Sequence, residues 1–189
     1  MPLLSSSLTR IRLSRVQPYL GKRILDLGCG HGELLDYLPE GVEGVVLADR
    51  STERQSCVEA KMRLSSCPSE FTILDVEGGL WNWSESSFDT VVMAALLEHL
   101  QRPGPVLRRV HGSLTTGGRL VLTTPTPLGG LVHRFTSRLG LTYREAAEEH
   151  VGFFDLAGLE SLITSVGFRI ERLERFLLGL NQLAVARKP

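Results

Sequence analysis

The octet Leu25-Asp26-Leu27-Gly28-Cys29-Gly30-His31-Gly32 joins an apolar run to three glycines at alternate positions. The run Arg23–Leu27 predicts a strand, and the residues after the glycines predict an amphipathic helix with Leu34, Leu35 and Leu38 on its apolar side. Glycines at such a junction let the backbone turn sharply and approach a ligand without interference from a Cβ atom. The pattern therefore indicates a binding site where the first strand ends.

The spacing of the three glycines narrows the kind of ligand. A dinucleotide fingerprint would need a third glycine three positions after the second, whereas Gly28, Gly30 and Gly32 are closer together. Asp26 precedes the turn, where its charge would repel a pyrophosphate. An acid beside a glycine turn suits a ligand with an ammonium and a carboxylate, such as the methionine end of S-adenosylmethionine. A plain tight turn is the alternative for the glycines taken alone.

Acidic or small residues also end the next three predicted strands. Asp49 follows the apolar run Val45–Ala48, about 20 residues downstream, where nucleotide-binding α/β folds place the acid that holds ribose hydroxyls. Asp75 follows Phe71–Leu74, and the strand Phe88–Ala94 ends in small residues. Since the carboxyl ends of parallel strands form the ligand crevice of an open sheet, we expect these residues to line one site.

Predicted strands and helices alternate along the remaining sequence, as is typical of a doubly wound sheet. We predict an α/β fold, a three-layer Rossmann-like sheet of seven mostly parallel strands with a carboxyl-terminal antiparallel hairpin. We assign residues 1–189 to one domain, with residues 1–20 as an amino-terminal helix. The further predicted elements are helices over Thr52–Ser65, from Pro103 and after Asp155, and strands over Arg119–Thr124, Phe168–Arg175 and Leu180–Ala186.

Composition restricts the class of protein. The 189 residues carry 21 basic and 21 acidic side chains, a balance that does not indicate nucleic-acid binding. Three cysteines without metal or redox spacing favour a reducing cytoplasm, and we expect no membrane span. The first 25 residues lack acids and superficially look like a transit peptide, but a structural helix is the favoured interpretation.

Further motifs in the second half of the chain complete a family pattern. These are Ser87-Phe88-Asp89, Glu98-His99-Leu100, His150-Val-Gly-Phe-Phe-Asp and Val166-Gly167-Phe168. With the glycine turn and the strand-end acids, the sequence resembles the class I S-adenosylmethionine-dependent methyltransferases over nearly its whole length. It is most similar to the ubiquinone-biosynthesis O-methyltransferase type and to MetW-like proteins.

The resemblance implies S-adenosyl-L-methionine as the cofactor and S-adenosyl-L-homocysteine as its product. It implies that the three glycines hold the methionine moiety and that Asp26 faces the ammonium. Asp49 would bind the ribose diol, while Asp75 and the Val76 backbone would contact adenine. The complete predicted cofactor-binding set is Asp26, Gly28, Cys29, Gly30, Gly32, Asp49, Arg50, Asp75, Val76 and Ala94.

The acceptor is expected under the segment 125–150, which follows the fifth strand and lacks strand periodicity. We interpret it as a candidate substrate lid, with a short helix over Leu131–Leu139, Gly129-Gly130 as candidate hinges, and closure when substrate binds. Its arginines, Arg134, Arg138 and Arg144, are suited to an anionic small molecule, although a solvated helical face is the alternative.

Methyl transfer needs a general base only if the acceptor keeps its proton near neutral pH. We expect a small-molecule acceptor, with oxygen favoured over nitrogen or carbon. His150 is the first candidate base and His99 the second, with structural histidines at loop ends as the alternative.

Two other functions stay open at this point. Glu98, His99 and His150 are similar to ligands of metal-dependent RNA 2′-O-methyltransferases, but Ala95 replaces the first glutamate of that pattern, and we expect no metal. MetW-like proteins also leave open a non-catalytic module that binds the cofactor or a partner. As assembly states we expect a monomer or a homodimer.

Overall fold

The computed structural model describes residues 3–138 and 152–189. Seven strands within these ranges form one sheet: β1 (Arg23–Leu27), β2 (Gly44–Asp49), β3 (Ser69–Ile73), β4 (Phe88–Ala94), β5 (Leu114–Pro125), β6 (Arg169–Phe176) and β7 (Asn181–Arg187). Their order is β3-β2-β1-β4-β5-β7-β6. Neighbours from β3 to β5 are parallel, and β7 is antiparallel to both β5 and β6. The predicted mixed sheet with a carboxyl-terminal hairpin is confirmed.

Helices cover both faces of this sheet. They are α1 (Leu3–Val16), α2 (Gln55–Leu64), α3 (Pro103–Ser113), α4 (Pro127–Arg138) and α5 (Leu156–Ser165). No helix in the described ranges is both long and apolar enough to cross a bilayer.

Strand alternation sends apolar side chains to two separate cores. Leu25 and Leu27 of β1 belong to the core under α3 and α5, which contribute Leu107 and Leu159. Ile24 of β1 belongs to the core on the opposite face, where α1 and α2 supply Leu13, Val16 and Val58. The helix α1 therefore packs against the sheet as part of the fold.

Side-chain carboxylates accept backbone hydrogen bonds at the starts of two helices. The Asp155 carboxylate accepts a hydrogen bond from the Gly158 N–H at 2.8 Å, which caps α5. At α3, the Glu77 carboxylate accepts from the Arg102 N–H at 2.7 Å, immediately before the helix begins at Pro103. The bond between Glu77 and Arg102 links the loop that follows β3 to the loop that follows β4.

The amphipathic helix predicted after the glycine turn is wrong in type. The structure has a short 3₁₀ helix over Glu33–Tyr37, although Leu34 and Leu35 are buried as expected. Pro39 explains the difference, because the residue before a proline is disfavoured in helical conformation. Leu38 is accordingly extended, with φ −65° and ψ 132°.

Two other predicted boundaries are corrected. The fifth strand begins at Leu114 instead of Arg119, since Leu114 already pairs with Phe88. The helix predicted from Thr52 is a 3₁₀ turn over Thr52–Arg54 followed by α2. By contrast, β4 has the predicted bounds.

Candidate active site

The site is positioned by the switch in strand order between β1 and β4. From β1 the chain runs outward to β2 and β3, and it returns on the other side with β4 and β5. Ligands of open α/β sheets bind at the carboxyl edge of such a switch point. The glycine turn after β1 lies at this place.

The glycine turn requires its glycines. Gly28, Gly30 and Gly32 have φ of 71°, 61° and 74°, which is the left-handed region that other residues adopt at a cost. The turn is fastened to β2, because the Gly28 and Cys29 N–H groups donate to the Ala48 carbonyl at 2.8 and 3.1 Å. The Gly30 N–H donates to Asp49 Oδ2 at 3.0 Å.

Asp26 is a buried carboxyl group at the base of this turn, 3% exposed. No donor among the described residues hydrogen-bonds to it, and the nearby charges are those of Glu33 and Asp49. Burial is the largest cause that raises the pKa of Asp26, and the charges of these two carboxylates add to it. Together they raise this pKa to about 8. A carboxyl group in this state is suited to a cationic ligand, since an ammonium supplies both the missing donors and the missing positive charge.

Asp49 lies at the end of β2 and is 4% exposed. Its Oδ1 accepts from the Ser51 N–H at 2.9 Å, while Oδ2 accepts from Gly30 and from Arg54 Nη1, the latter at 3.2 Å. The predicted ribose contact therefore competes with Arg54. The Arg54 side chain is 44% exposed, so displacing it costs little.

The other predicted cofactor residues differ in accessibility. Asp75 is exposed, and its Oδ1 accepts from the Glu77 N–H at 3.0 Å, whereas Val76 is buried. Arg50 is exposed and Ala94 is half-buried. Cys29 is buried, and burial raises the pKa of its thiol, which keeps it neutral. All lie at the carboxyl edge of the strands, as the sequence predicts.

The edge beyond β4 carries Glu98 and His99, in a 3₁₀ turn over Leu97–His99. Glu98 is 1% exposed, and its Oε2 accepts from the Thr124 hydroxyl at 2.9 Å. His99 is half-buried beside it. His150, the first candidate for a general base, lies outside the described residues.

The predicted lid begins with α4, and residues 139–151, including Tyr143 and Arg144, lie outside the described residues. The hinge interpretation of Gly129-Gly130 is replaced by close packing. A Cβ at Gly129 would lie 1.9 Å from the Leu180 carbonyl oxygen, and one at Gly130 would lie 2.2 Å from Phe153 Cζ. Both glycines are buried in the first turn of α4, so they let this helix approach its neighbours.

Three residues of the site were missed from the sequence. Glu33 and Arg54 act on Asp26 and Asp49, and the charge of Glu98 acts on Arg12 of α1. Glu33 was detectable as the first acid after the glycines, whereas nothing in the local pattern distinguishes Arg12 or Arg54 from surface arginines.

A family model described as "Methyltransferase domain" matches residues 6–173. The chain belongs to the methyltransferase domain family. Its predicted resemblance to class I S-adenosylmethionine-dependent methyltransferases is thereby confirmed, and the strand order, the left-handed glycines and the strand-end acids described above agree with it.

Individual relatives agree with the family. The ubiquinone biosynthesis O-methyltransferase of Xanthomonas euvesicatoria is 31% identical over 121 residues, which cover 62% of this chain and 50% of that protein. The chain thus spans about half the length of this relative. An S-adenosylmethionine-dependent methyltransferase structure from Mesorhizobium loti has a TM-score of 0.73 at 20% identity, covering 97% of this chain and 99% of that one. One from Methanosarcina mazei has a TM-score of 0.68 at 22% identity, covering 92% and 96%.

The sequence left open a metal-dependent RNA 2′-O-methyltransferase. Within residues 3–138 and 152–189, no three His, Cys, Asp or Glu side chains cluster in a way that could hold a metal ion. Glu98, one of its candidate ligands, accepts the Thr124 hydroxyl.

Proposed function

We propose that this methyltransferase binds S-adenosylmethionine at the glycine turn and transfers its methyl group to a small-molecule acceptor. The observation that carries the proposal is Asp26, a carboxyl group 3% exposed and without a described hydrogen-bond partner, beside a left-handed glycine turn. These residues fit the ammonium and carboxylate of the cofactor. When bound, the cofactor supplies a methyl carbon that its sulfonium already activates.

Residues at the ends of three successive strands each contact a different part of the cofactor in this proposal. Asp26 orients the ammonium at β1, Asp49 accepts the ribose hydroxyls at β2, and Asp75 with Val76 contacts adenine after β3. This order follows the strand order β1, β2, β3 outward from the switch point. Arg54 moves away from Asp49 when the ribose binds, because the carboxylate cannot serve the diol while it also serves the guanidinium and two N–H groups.

The protein's contribution to transfer is positioning and the exclusion of water. The acceptor lies over β4 and β5, since the cofactor extends in the opposite direction over β2 and β3. We favour an oxygen acceptor on the similarity to ubiquinone biosynthesis O-methyltransferases. His99, adjacent to Glu98 at this edge, is one candidate for the general base. His150, which lies outside the described residues, is the other candidate.

Binding of S-adenosylhomocysteine to two alanine variants tests the proposal. Gly30→Ala and Gly41→Ala both place a side chain at positive φ, 61° and 82°, at a similar backbone cost of about 1–2 kcal/mol. A Cβ at Gly41 meets no atom within 4 Å, so it serves as the matched control. Isothermal titration calorimetry should show at least about tenfold weaker binding for Gly30→Ala and unchanged binding for Gly41→Ala. Equal affinities in both variants and the wild type would mean that the turn is only structural.

A further inference from the structure

Arg12 lies on the inner side of α1, directly before the buried Leu13, and reaches the carboxyl edge of the sheet. Its Nε donates to Asn181 Oδ1 at 3.0 Å. Asn181 is 4% exposed and pairs with Pro125, the last residue of β5. The guanidinium is therefore held over the ends of β5 and β7, on the acceptor side of the switch point.

Glu98 approaches the same place from β4. Its carboxylate is held by the hydroxyl of Thr124, one residue before Pro125. The charge of Glu98 acts on the Arg12 guanidinium and partly offsets the effect of burial, which lowers the pKa of Arg12. Yet the two groups are not in ion-pair contact, and each is fixed by a different neighbour.

Two opposite charges that are withdrawn from water but do not touch are costly for the fold. The terminal nitrogens of Arg12 hydrogen-bond to no residue within the ranges 3–138 and 152–189. A guanidinium with free terminal N–H groups presents a planar fork that matches a carboxylate. Arg12 is thus arranged to bind a ligand anion that enters between α1 and Glu98.

We propose that Arg12 binds a carboxylate group of the methyl acceptor, and that Asn181 holds the guanidinium in position for it. The inference rests on the proposed methyl transfer and narrows its acceptor to a small molecule that carries a carboxylate. It also gives α1 a role in substrate binding, in addition to its role in the core.

The test uses benzoate and its neutral isostere benzamide, with S-adenosylhomocysteine present at saturation. Calorimetry should show that the wild type prefers benzoate by roughly 10- to 150-fold, the effect of a hydrogen-bonded charged group. Arg12→Gln should abolish this preference, and Arg12→Lys should reduce it, because lysine keeps the charge without the fork. Arg10→Gln, at an exposed position of the same helix, is the matched control and should keep it.

A measurement on the wild type covers the case in which Arg12→Gln does not fold. The ¹⁵N resonance of the Arg12 Nε group, identified by its absence in Arg12→Lys, should shift on addition of benzoate and not of benzamide. Absence of any benzoate preference in the wild type, or its survival in Arg12→Gln, would overturn the inference. Binding of S-adenosylhomocysteine is measured first, and its failure in the wild type would contradict the proposed function instead.

Discussion

At the scale of a single residue, we expect Asp26 to couple ligand binding to pH. Its pKa of about 8 means that the carboxyl group is mostly protonated near neutral pH in the free protein. An ammonium favours the ionised form, so binding must expel the proton. Glu33 and Asp49, on either side of the turn, oppose this ionisation, and Arg54 offsets only the charge of Asp49.

We therefore expect the affinity for S-adenosylhomocysteine to rise by about tenfold per pH unit from pH 6 to pH 7.5 and then to level off near pH 8. Calorimetry in two buffers of different ionisation enthalpy should register close to one proton released per ligand at pH 7. Asp26→Asn cannot ionise, so it should bind weakly and without this pH dependence. An affinity of the wild type that is constant from pH 6 to pH 8 would contradict the role of Asp26.

At the scale of elements, the first turn of α4 is docked closely against its neighbours. Its first turn lies against the β6–β7 turn, where the Thr126 hydroxyl donates to the Gly179 carbonyl at 2.8 Å and the Gly129 N–H donates to the Thr126 hydroxyl at 3.1 Å. No space remains for a side chain at Gly129.

Gly129→Ala should therefore lower the free energy of unfolding by about 1–3 kcal/mol, as overpacking does. Gly112→Ala is the control, since Gly112 lies in α3 and a Cβ there meets no atom within 4 Å. That variant should be stabilised by up to about 1 kcal/mol through helix propensity. Urea unfolding of both variants measures the difference, and equal effects would show that α4 is not docked in this way.

Element prediction succeeded where periodicity and local breakers agreed. The strand β4 is bounded by Ser87 and the small residues after it, and its limits were predicted to the residue. The helix predicted after the glycine turn is wrong because apolar spacing alone does not include the effect of Pro39 on the conformation of Leu38. The glycine pair in α4 was misinterpreted because close backbone approach depends on Leu180 and Phe153, which are distant in sequence.

For the candidate site, the sequence indicates residues that end or follow strands, and it does not indicate residues that act through tertiary contacts. Asp26 and Asp49 are detectable because parallel strands end at one edge. Arg12 is 169 residues from Asn181 in sequence, so their hydrogen bond exists only in the folded chain. The same limit applies to the hydrogen bond between Arg54 and Asp49, which also exists only in the folded chain.

At the scale of the whole molecule, Asp26 should also make stability depend on pH. The folded state keeps a proton on Asp26 up to a pKa of about 8, whereas the unfolded chain loses it near the ordinary value of 3.8. Since the folded state binds more protons between these values, the stability contributed by the neutral form is lost as pH rises through this window.

Urea unfolding at pH 6 and pH 8 measures this effect. Asp26→Asn should gain about 2 kcal/mol relative to the wild type between these pH values, because each pH unit in the window changes stability by about 1.36 kcal/mol. A difference between the two proteins that does not change with pH would show that the carboxyl group is ionised in the folded state.

The architecture divides the carboxyl edge into two halves. The glycine turn, Asp49 and Asp75 follow β1, β2 and β3, while Glu98 and Asn181 lie at β4 and β7 with Arg12 above them. We assign the first half to the cofactor and the second to the acceptor. Substitutions in one half should therefore leave ligand affinity in the other half unchanged.

Calorimetric titration of S-adenosylhomocysteine into the wild type and Asp49→Ala tests the cofactor assignment most directly. The wild type should bind one equivalent, and Asp49→Ala should lose about 1.5–3 kcal/mol, roughly 10- to 150-fold in affinity. Arg54→Ala, which frees the Asp49 carboxylate, is the matched control and should bind at least as tightly as the wild type. No binding by the wild type, or an unchanged affinity in Asp49→Ala, would contradict a cofactor site at this edge of the sheet.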